Sequence, residues 1–152
     1  MVGAFSPVPN EFYLDSYFSI YVESNCLQPD LIHITEKTFK AIALEMPFIL
    51  VAPSGSLEYL RSYGFQTFDS VIDESYDQES NDIRRIERVT KLLRDLNNLS
   101  FHERQQLQRA MLPMVEHNYN HFYNGDFEHI LWDEFTSMLG KLENDFCIRF
   151  NQ

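Results

Sequence analysis

Hydrophobic and polar residues follow two different patterns along this chain, and the change of pattern divides it into two parts. In the first part, the runs Tyr17–Val22 ("YFSIYV") and Phe48–Ala52 ("FILVA") are rich in aromatic and β-branched residues, which is typical of strands. The second run is apolar at every position, which predicts a parallel strand covered on both faces. Between them, Thr35 is a candidate N-cap for a helix that reaches about Glu45 and that Pro47 closes.

A second strand–helix step follows the FILVA run. The loop "PSGS" leads into a short predicted helix over Ser56–Tyr63, and Gly64 stands where a left-handed residue commonly ends a helix. The next apolar stretch, Phe65–Phe68 ("FQTF"), is predicted to be a third short strand. The first part of the chain therefore alternates strands with helices.

The second part begins with an acidic, turn-rich stretch over Asp69–Asp82 and is helical beyond it. Ser100 with Glu103 forms a capping-box pattern that opens a helix, in which Pro113 predicts a kink, and Asp126 can cap a final helix. A separate helix, before the one that Ser100 opens, is predicted from apolar residues at helical spacing, namely Ile83, Ile86, Val89, Leu92, Leu93 and Leu96.

Together the elements predict an α/β fold, with a short parallel sheet like half of a doubly wound fold and a helical C-terminal cluster. The length of 152 residues suits a single domain over 1–152. In such sheets, ligands bind beyond the carboxyl ends of the strands. Those ends are "ESN" after the first strand and "APSGS" after the second.

Composition narrows the classes of partner. The formal net charge of −11 disfavours nucleic acid and anionic bilayers, whose phosphates the surface would repel. Cys26 and Cys147 form neither a CxxC pair nor a disulfide framework, which fits a reducing cytoplasm. No signal peptide and no apolar run of membrane-spanning length is present, so we expect a cytoplasmic protein without membrane insertion.

The triplet Thr35-Glu36-Lys37 is the main candidate for binding chemistry. A carboxylate in the first turn of a helix could accept two hydrogen bonds from a sugar diol, and the ammonium beside it could neutralise a phosphate. The same charges also occur in an ordinary capped helix start. Gly55 and Ser56 could cradle a phosphate at the next helix start, or could simply form a turn with an N-cap.

These residues resemble a known family. The segments "IYVESN", "ITEKTFKAIALEMPFILVAP" and "YLRSYGFQTF" are similar to the C-terminal, donor-binding half of GT-B glycosyltransferases, especially the fucosyltransferase and exostosin-like groups. They are more similar still to glycosyltransferase-like proteins of phage and marine metagenomic origin. The resemblance covers about residues 12–96, leaves 97–152 as the helical cluster, and implies a Rossmann-like, three-layer half of a GT-B fold.

The resemblance also implies roles for individual residues. Glu36 would hold the ribose of a nucleoside-diphosphate sugar and Lys37 would face its pyrophosphate, while Glu23, Ser24 and Asn25 would line the sugar side. No DxD motif occurs, so no metal is expected, and no catalytic residue is assigned. A GT-B enzyme also needs an acceptor-binding domain, for which 152 residues leave no room. The chain would then be the C-terminal half of a split enzyme with a separate N-terminal half as its partner, a fragment, or a domain that has kept the fold and changed its function.

Weaker candidates remain beside this site. His117 and His121, four residues apart, could chelate a metal or could be exposed residues at a helix end. The acidic stretch could hold a cation or could be a solvated turn, and its carboxylates are Asp69, Asp73, Glu74, Asp77 and Asp82.

The aromatic residues of the last two helices have different predicted roles. Trp132, Phe135 and Leu139 of the final helix are predicted to lie in the core rather than on a binding stripe. Those near the end of the preceding helix suggest an alternative function. The alternative is a non-catalytic, self-associating interaction domain with the same fold, which would form a homo-oligomer. Its interface anchors would be Tyr119, Phe122 and Tyr123.

Overall fold

In the part of the chain that the structure describes, the fold combines a two-stranded parallel sheet with five α-helices. The computed structural model describes residues 16–24, 26, 32 and 34–150, and for 143–150 only the helical backbone. In that part of the chain the elements are β1 (Ser19–Val22), α1 (Glu36–Ala43), β2 (Phe48–Val51), α2 (Ser56–Ser62), a 3-10 turn (Ser75–Gln78), α3 (Asp82–Asn98), α4 (Phe101–Asn124) and α5 (Phe127–Phe150). The predicted α/β class is therefore confirmed, in a mostly helical structure.

The two strands run parallel, with Ser19 opposite Phe48 and Val22 opposite Val51. The pairing continues one residue further, because the Glu23 N–H donates to the Val51 carbonyl at 2.9 Å. All four residues of β2 are buried, as the continuous apolar run predicts. The carboxyl ends of both strands meet at one edge of the sheet, which is where Glu23 lies.

The prediction of a third strand at Phe65–Phe68 is wrong, because this segment is an irregular loop in the structure. The Gln66 backbone N–H donates to Asn118 Oδ1 at 2.7 Å, and Asn118 Nδ2 donates to the Gln66 carbonyl at 2.8 Å. The Phe68 N–H donates to the Glu74 carboxylate at 2.9 Å. Side chains thus satisfy the backbone groups that a neighbouring strand would otherwise pair.

Most helix boundaries follow the local signals. Thr35 caps α1, although the helix ends at Ala43 rather than at Glu45, whose φ of 52° is left-handed. Gly64, at φ 90°, follows the end of α2 as predicted. Ser100 and Glu103 form the predicted capping box at the start of α4, which continues as one helix through Pro113.

An aromatic cluster attaches α1 to the C-terminal helices. Phe39 of α1 lies with its ring centroid 5.7 Å from that of Phe122 in α4 and 5.3 Å from that of Phe127 in α5. Phe65 completes the cluster, 4.9 Å from Phe127. Such ring pairs stabilise beyond their buried area, so the helix that carries the Thr35-Glu36-Lys37 triplet is anchored one turn after it.

The core prediction for α5 is wrong. Trp132, Phe135 and Leu139 are exposed by 63%, 45% and 42% of their surface. The interface anchors predicted on α4 differ in exposure, because 55% of the Tyr123 surface is exposed whereas Phe122 packs against the core. No helix among the described residues is long and apolar enough to cross a membrane.

Candidate functional site

A buried carboxylate forms the centre of the candidate site. Glu23 follows β1 at the carboxyl edge of the sheet, and only 1% of its surface is exposed. Its Oε1 accepts hydrogen bonds from the Thr35 N–H at 3.0 Å and from the Thr38 hydroxyl at 3.2 Å. Its Oε2 accepts a hydrogen bond from the Thr35 hydroxyl at 2.7 Å. The first turn of α1 therefore surrounds this carboxylate with donors.

Lys37 lies over the same carboxylate. Its ammonium is 3.4 Å from Glu23 Oε2, 3.3 Å from the Ser24 hydroxyl and 3.3 Å from the Thr35 hydroxyl. The Lys37 side chain keeps 36% of its surface exposed, whereas the Glu23 side chain is fully buried. The ion pair thus has one buried member and one that still meets solvent.

The hydrogen bonds determine the charge state of Glu23. Burial by itself raises the pKa of this carboxyl group, but the donors on Thr35 and Thr38 and the charge of Lys37 outweigh burial and lower the pKa below its ordinary value. Glu23 is therefore a carboxylate at neutral pH, and its negative charge holds the Lys37 ammonium in place.

The other predicted residues of this site differ in accessibility. Glu36 is exposed in the first turn of α1, and its side chain forms no hydrogen bond or ion pair with the described residues. Ser24 is also exposed and contacts Lys37. Asn25 lies outside the described residues. The structure therefore brings Glu23, Ser24, Thr35 and Lys37 together and leaves the Glu36 carboxylate open to solvent.

The predicted phosphate cradle at Gly55 and Ser56 is already occupied by a carboxyl group of the chain itself, that of Asp77. Gly55, at φ 84°, turns the backbone into α2, and the Ser56 hydroxyl donates to the Pro53 carbonyl at 2.7 Å. The Asp77 carboxylate accepts from the Leu57 N–H at 2.9 Å and from the Glu58 N–H at 3.2 Å. A phosphate could use these N–H groups only by displacing Asp77, and the Gly55–Ser56 contact stays a prediction.

Two of the acidic residues for which the sequence suggests a cation site or a solvated turn, Glu74 and Asp77, are buried instead of solvated. Burial raises the pKa of Glu74 and of Asp77, although each accepts hydrogen bonds from backbone N–H groups. Arg61 lies 3.5 Å from the Glu74 carboxylate. Among the described residues, no group of three or more His, Cys, Asp or Glu side chains is arranged to hold a metal ion. The absence of a metal remains a prediction.

His117 and His121 contact the loop that follows α2. His117 Nε2 lies 2.9 Å from the Gly64 carbonyl, and His121 Nε2 lies 2.7 Å from the Tyr63 carbonyl. The two rings stack with centroids 5.9 Å apart. With Asn118 between them, these side chains of α4 fix the loop from Tyr63 to Gln66.

Some residues that build the site carried no clear signal in the sequence. Thr38 binds Glu23 from within α1, and the buried Arg85 of α3 donates to the Cys26 carbonyl at 2.7 Å. The Cys26 N–H in turn donates to the Glu23 carbonyl at 3.2 Å, so Arg85 helps to fix the turn after β1. A threonine one turn into a helix and an arginine in a charged helix are common features, and only the spatial arrangement distinguishes them.

Comparison of the chain with protein-family models, with curated proteins and with solved structures finds no match.

Proposed function

We propose that this chain is the nucleotide-sugar-binding domain of a glycosyltransferase-like protein, similar to the donor half of a GT-B fold. The proposal rests on the partly exposed Lys37 ammonium at the carboxyl edge of the sheet, beside the Ser24 hydroxyl. Open α/β sheets bind their ligands at this edge. A cation with a neighbouring hydroxyl group is suited to a phosphate group there.

Lys37 is proposed as the diphosphate ligand. Its three contacts of 3.3–3.4 Å are longer than the usual range of about 2.7–3.2 Å for a hydrogen bond to nitrogen, so a phosphate oxygen could replace one of them at small cost. Glu23 keeps three other donors and would hold Lys37 in place with or without the ligand. In this proposal Glu23 positions Lys37 instead of contacting the sugar.

Glu36 is proposed as the ligand of the ribose diol. Its carboxylate is adjacent to Lys37 in the sequence, exposed, and without a protein partner among the described residues. A carboxylate can accept both hydroxyl hydrogens of a diol. One nucleoside diphosphate could therefore contact both side chains.

Sugar transfer would need a separate acceptor-binding domain. In the reaction, the bond between the anomeric carbon and the diphosphate oxygen breaks while the acceptor oxygen bonds to that carbon. The hydroxyl proton of the acceptor would pass to a base on the other domain, and Lys37 would stabilise the charge on the departing diphosphate. This chemistry requires no metal.

Calorimetric titration with GDP, UDP and a GDP-sugar tests the proposal. We expect Lys37→Ala to weaken diphosphate binding at least about tenfold, which is the loss of roughly 1.4 kcal/mol. Glu36→Gln should weaken nucleotide binding without affecting the binding of inorganic diphosphate. Lys91→Ala removes one exposed lysine of α3 and should leave both affinities unchanged.

Two results would contradict the proposal. One is the absence of heat with any nucleotide at millimolar concentration, while circular dichroism shows a folded protein. The other is equal affinity of the wild type and Lys37→Ala, since binding would then occur elsewhere. An effect of Lys91→Ala as large as that of Lys37→Ala would indicate attraction by general charge instead of a site.

A further inference from the structure

Helix α5 carries an exposed apolar stripe along one side. Its members recur every three or four residues and fall within an arc of about 120° on a helical wheel. Each exposes between 42% and 63% of its surface, and they are Leu131, Trp132, Phe135, Met138, Leu139 and Leu142.

The stripe is as large as the largest apolar patches that folded monomers commonly expose. From these exposed fractions, the six residues present on the order of 600 Å² per copy, at the upper end of the roughly 300–600 Å² of the largest patch on a typical monomer, and such patches often mark interaction sites. The stripe also meets an apolar pocket of about 140 Å³, because Leu131 lines that pocket together with Tyr59 and Tyr63. Complete burial of two such surfaces would remove about 1,200 Å² from solvent, which reaches the lower end of the range for specific interfaces.

The charges beside the stripe favour a second copy of this chain as its partner. Glu134 and Lys141 lie on the same flank of the stripe, seven residues and about 10 Å apart. If a second α5 packs antiparallel, a twofold axis midway between these residues places Glu134 of each copy beside Lys141 of the other. A parallel copy would instead place like residues at the same level.

We propose that the chain forms a twofold homodimer through antiparallel packing of α5, with Phe135 and Met138 near the axis. The partner helix would cover the apolar stripe, and two Glu134–Lys141 pairs would set its direction and register. This dimer does not depend on nucleotide binding, so either proposal can fail without the other.

Sedimentation of the full chain over a range of concentrations tests the apolar contact. We expect the wild type to be a dimer and Phe135→Glu to raise the dissociation constant at least about a hundredfold, since each dimer loses two central rings. Phe101→Glu is the matched control, because Phe101 is 68% exposed at the start of α4 and is not a member of the α5 stripe. It should leave the dimer intact.

A charge exchange tests the antiparallel direction. Glu134→Lys and Lys141→Glu should each weaken the dimer about tenfold near 0.1 M salt, because like charges then meet twice. Glu134 also accepts a hydrogen bond from the Tyr63 hydroxyl at 2.7 Å, so Lys141→Glu is the cleaner single variant. An equimolar mixture of the two variants should dimerise like the wild type, because the lysine introduced in one copy would then face the glutamate introduced in the other.

Three results would overturn the proposal. A monomeric wild type would exclude the dimer. A dimer that survives Phe135→Glu would place the interface elsewhere. Failure of the mixed variants to associate more tightly than either variant alone would exclude the antiparallel pairing.

Discussion

Replacing Glu23 by glutamine tests whether the buried carboxylate holds the start of α1 together. A glutamine can keep one oxygen facing the Thr35 N–H and the Thr38 hydroxyl, but its NH₂ group would face the Lys37 ammonium, which cannot accept a hydrogen bond. The charge-assisted bond to Lys37 is lost and the one from the Thr35 hydroxyl is weakened. The short bond from the Thr35 hydroxyl to the charged group contributes about 1.5 kcal/mol and the 3.4 Å contact with the partly exposed Lys37 about 0.5 kcal/mol, so Glu23→Gln should lower the free energy of unfolding by about 2 kcal/mol at pH 7.

The pH dependence of this loss gives a second observable. The folded state lowers the pKa of Glu23. The Glu23 carboxylate therefore stabilises the fold fully above the ordinary glutamate pKa, and this stabilisation is lost as the pH falls through the folded-state pKa. The stability gap between the wild type and Glu23→Gln should therefore be full at neutral pH and narrow in acid. Urea unfolding, followed by circular dichroism at several pH values, measures this gap.

The same substitution at Glu36 is the matched control. Glu36 is exposed and unpaired among the described residues, so Glu36→Gln should change the unfolding free energy by less than about 0.5 kcal/mol. Equal effects of the two variants, or a Glu23→Gln gap that does not change with pH, would refute the role assigned to the Glu23 carboxylate.

Two further predictions concern the loop after α2 and the glycines. Asn118→Ala should lower the unfolding free energy, measured by urea unfolding, by about 2–4 kcal/mol, because the backbone N–H and carbonyl of Gln66 lose their partners. The same change at the exposed Asn120 is the control and should have little effect. Gly64→Ala should lower the thermal midpoint, because φ is 90° and a Cβ would lie 2.8 Å from His121 Nε2. In contrast, Gly140→Ala should raise the thermal midpoint, because Gly140 lies within a helix and a Cβ there meets no other atom. The free energy of unfolding should rise by up to about 1 kcal/mol. Effects of the same sign at both glycines would contradict this account.

The sequence by itself determined the elements whose signals are local. An unbroken apolar run can be buried only if both faces of the strand are covered, and β2 is buried at all four positions. Thr35 and the Ser100–Glu103 pair satisfy free N–H groups within one turn of their own helix, so these starts can be recognised from a few residues. The position of Glu23, Thr35 and Lys37 at one edge of the sheet also followed from the parallel pairing.

Only the tertiary structure decided where distant side chains meet. Phe65–Phe68 has the composition of a strand, yet Asn118, about fifty residues later, binds its backbone and replaces the expected neighbour. Asp77 similarly occupies the N–H groups at the start of α2, and Glu23 is buried beneath Lys37 while Glu36 is exposed. Periodicity identifies the apolar side of α5 but not its partner, because the same stripe suits a core or an interface. These outcomes depend on contacts across the chain, which no local pattern of residues encodes.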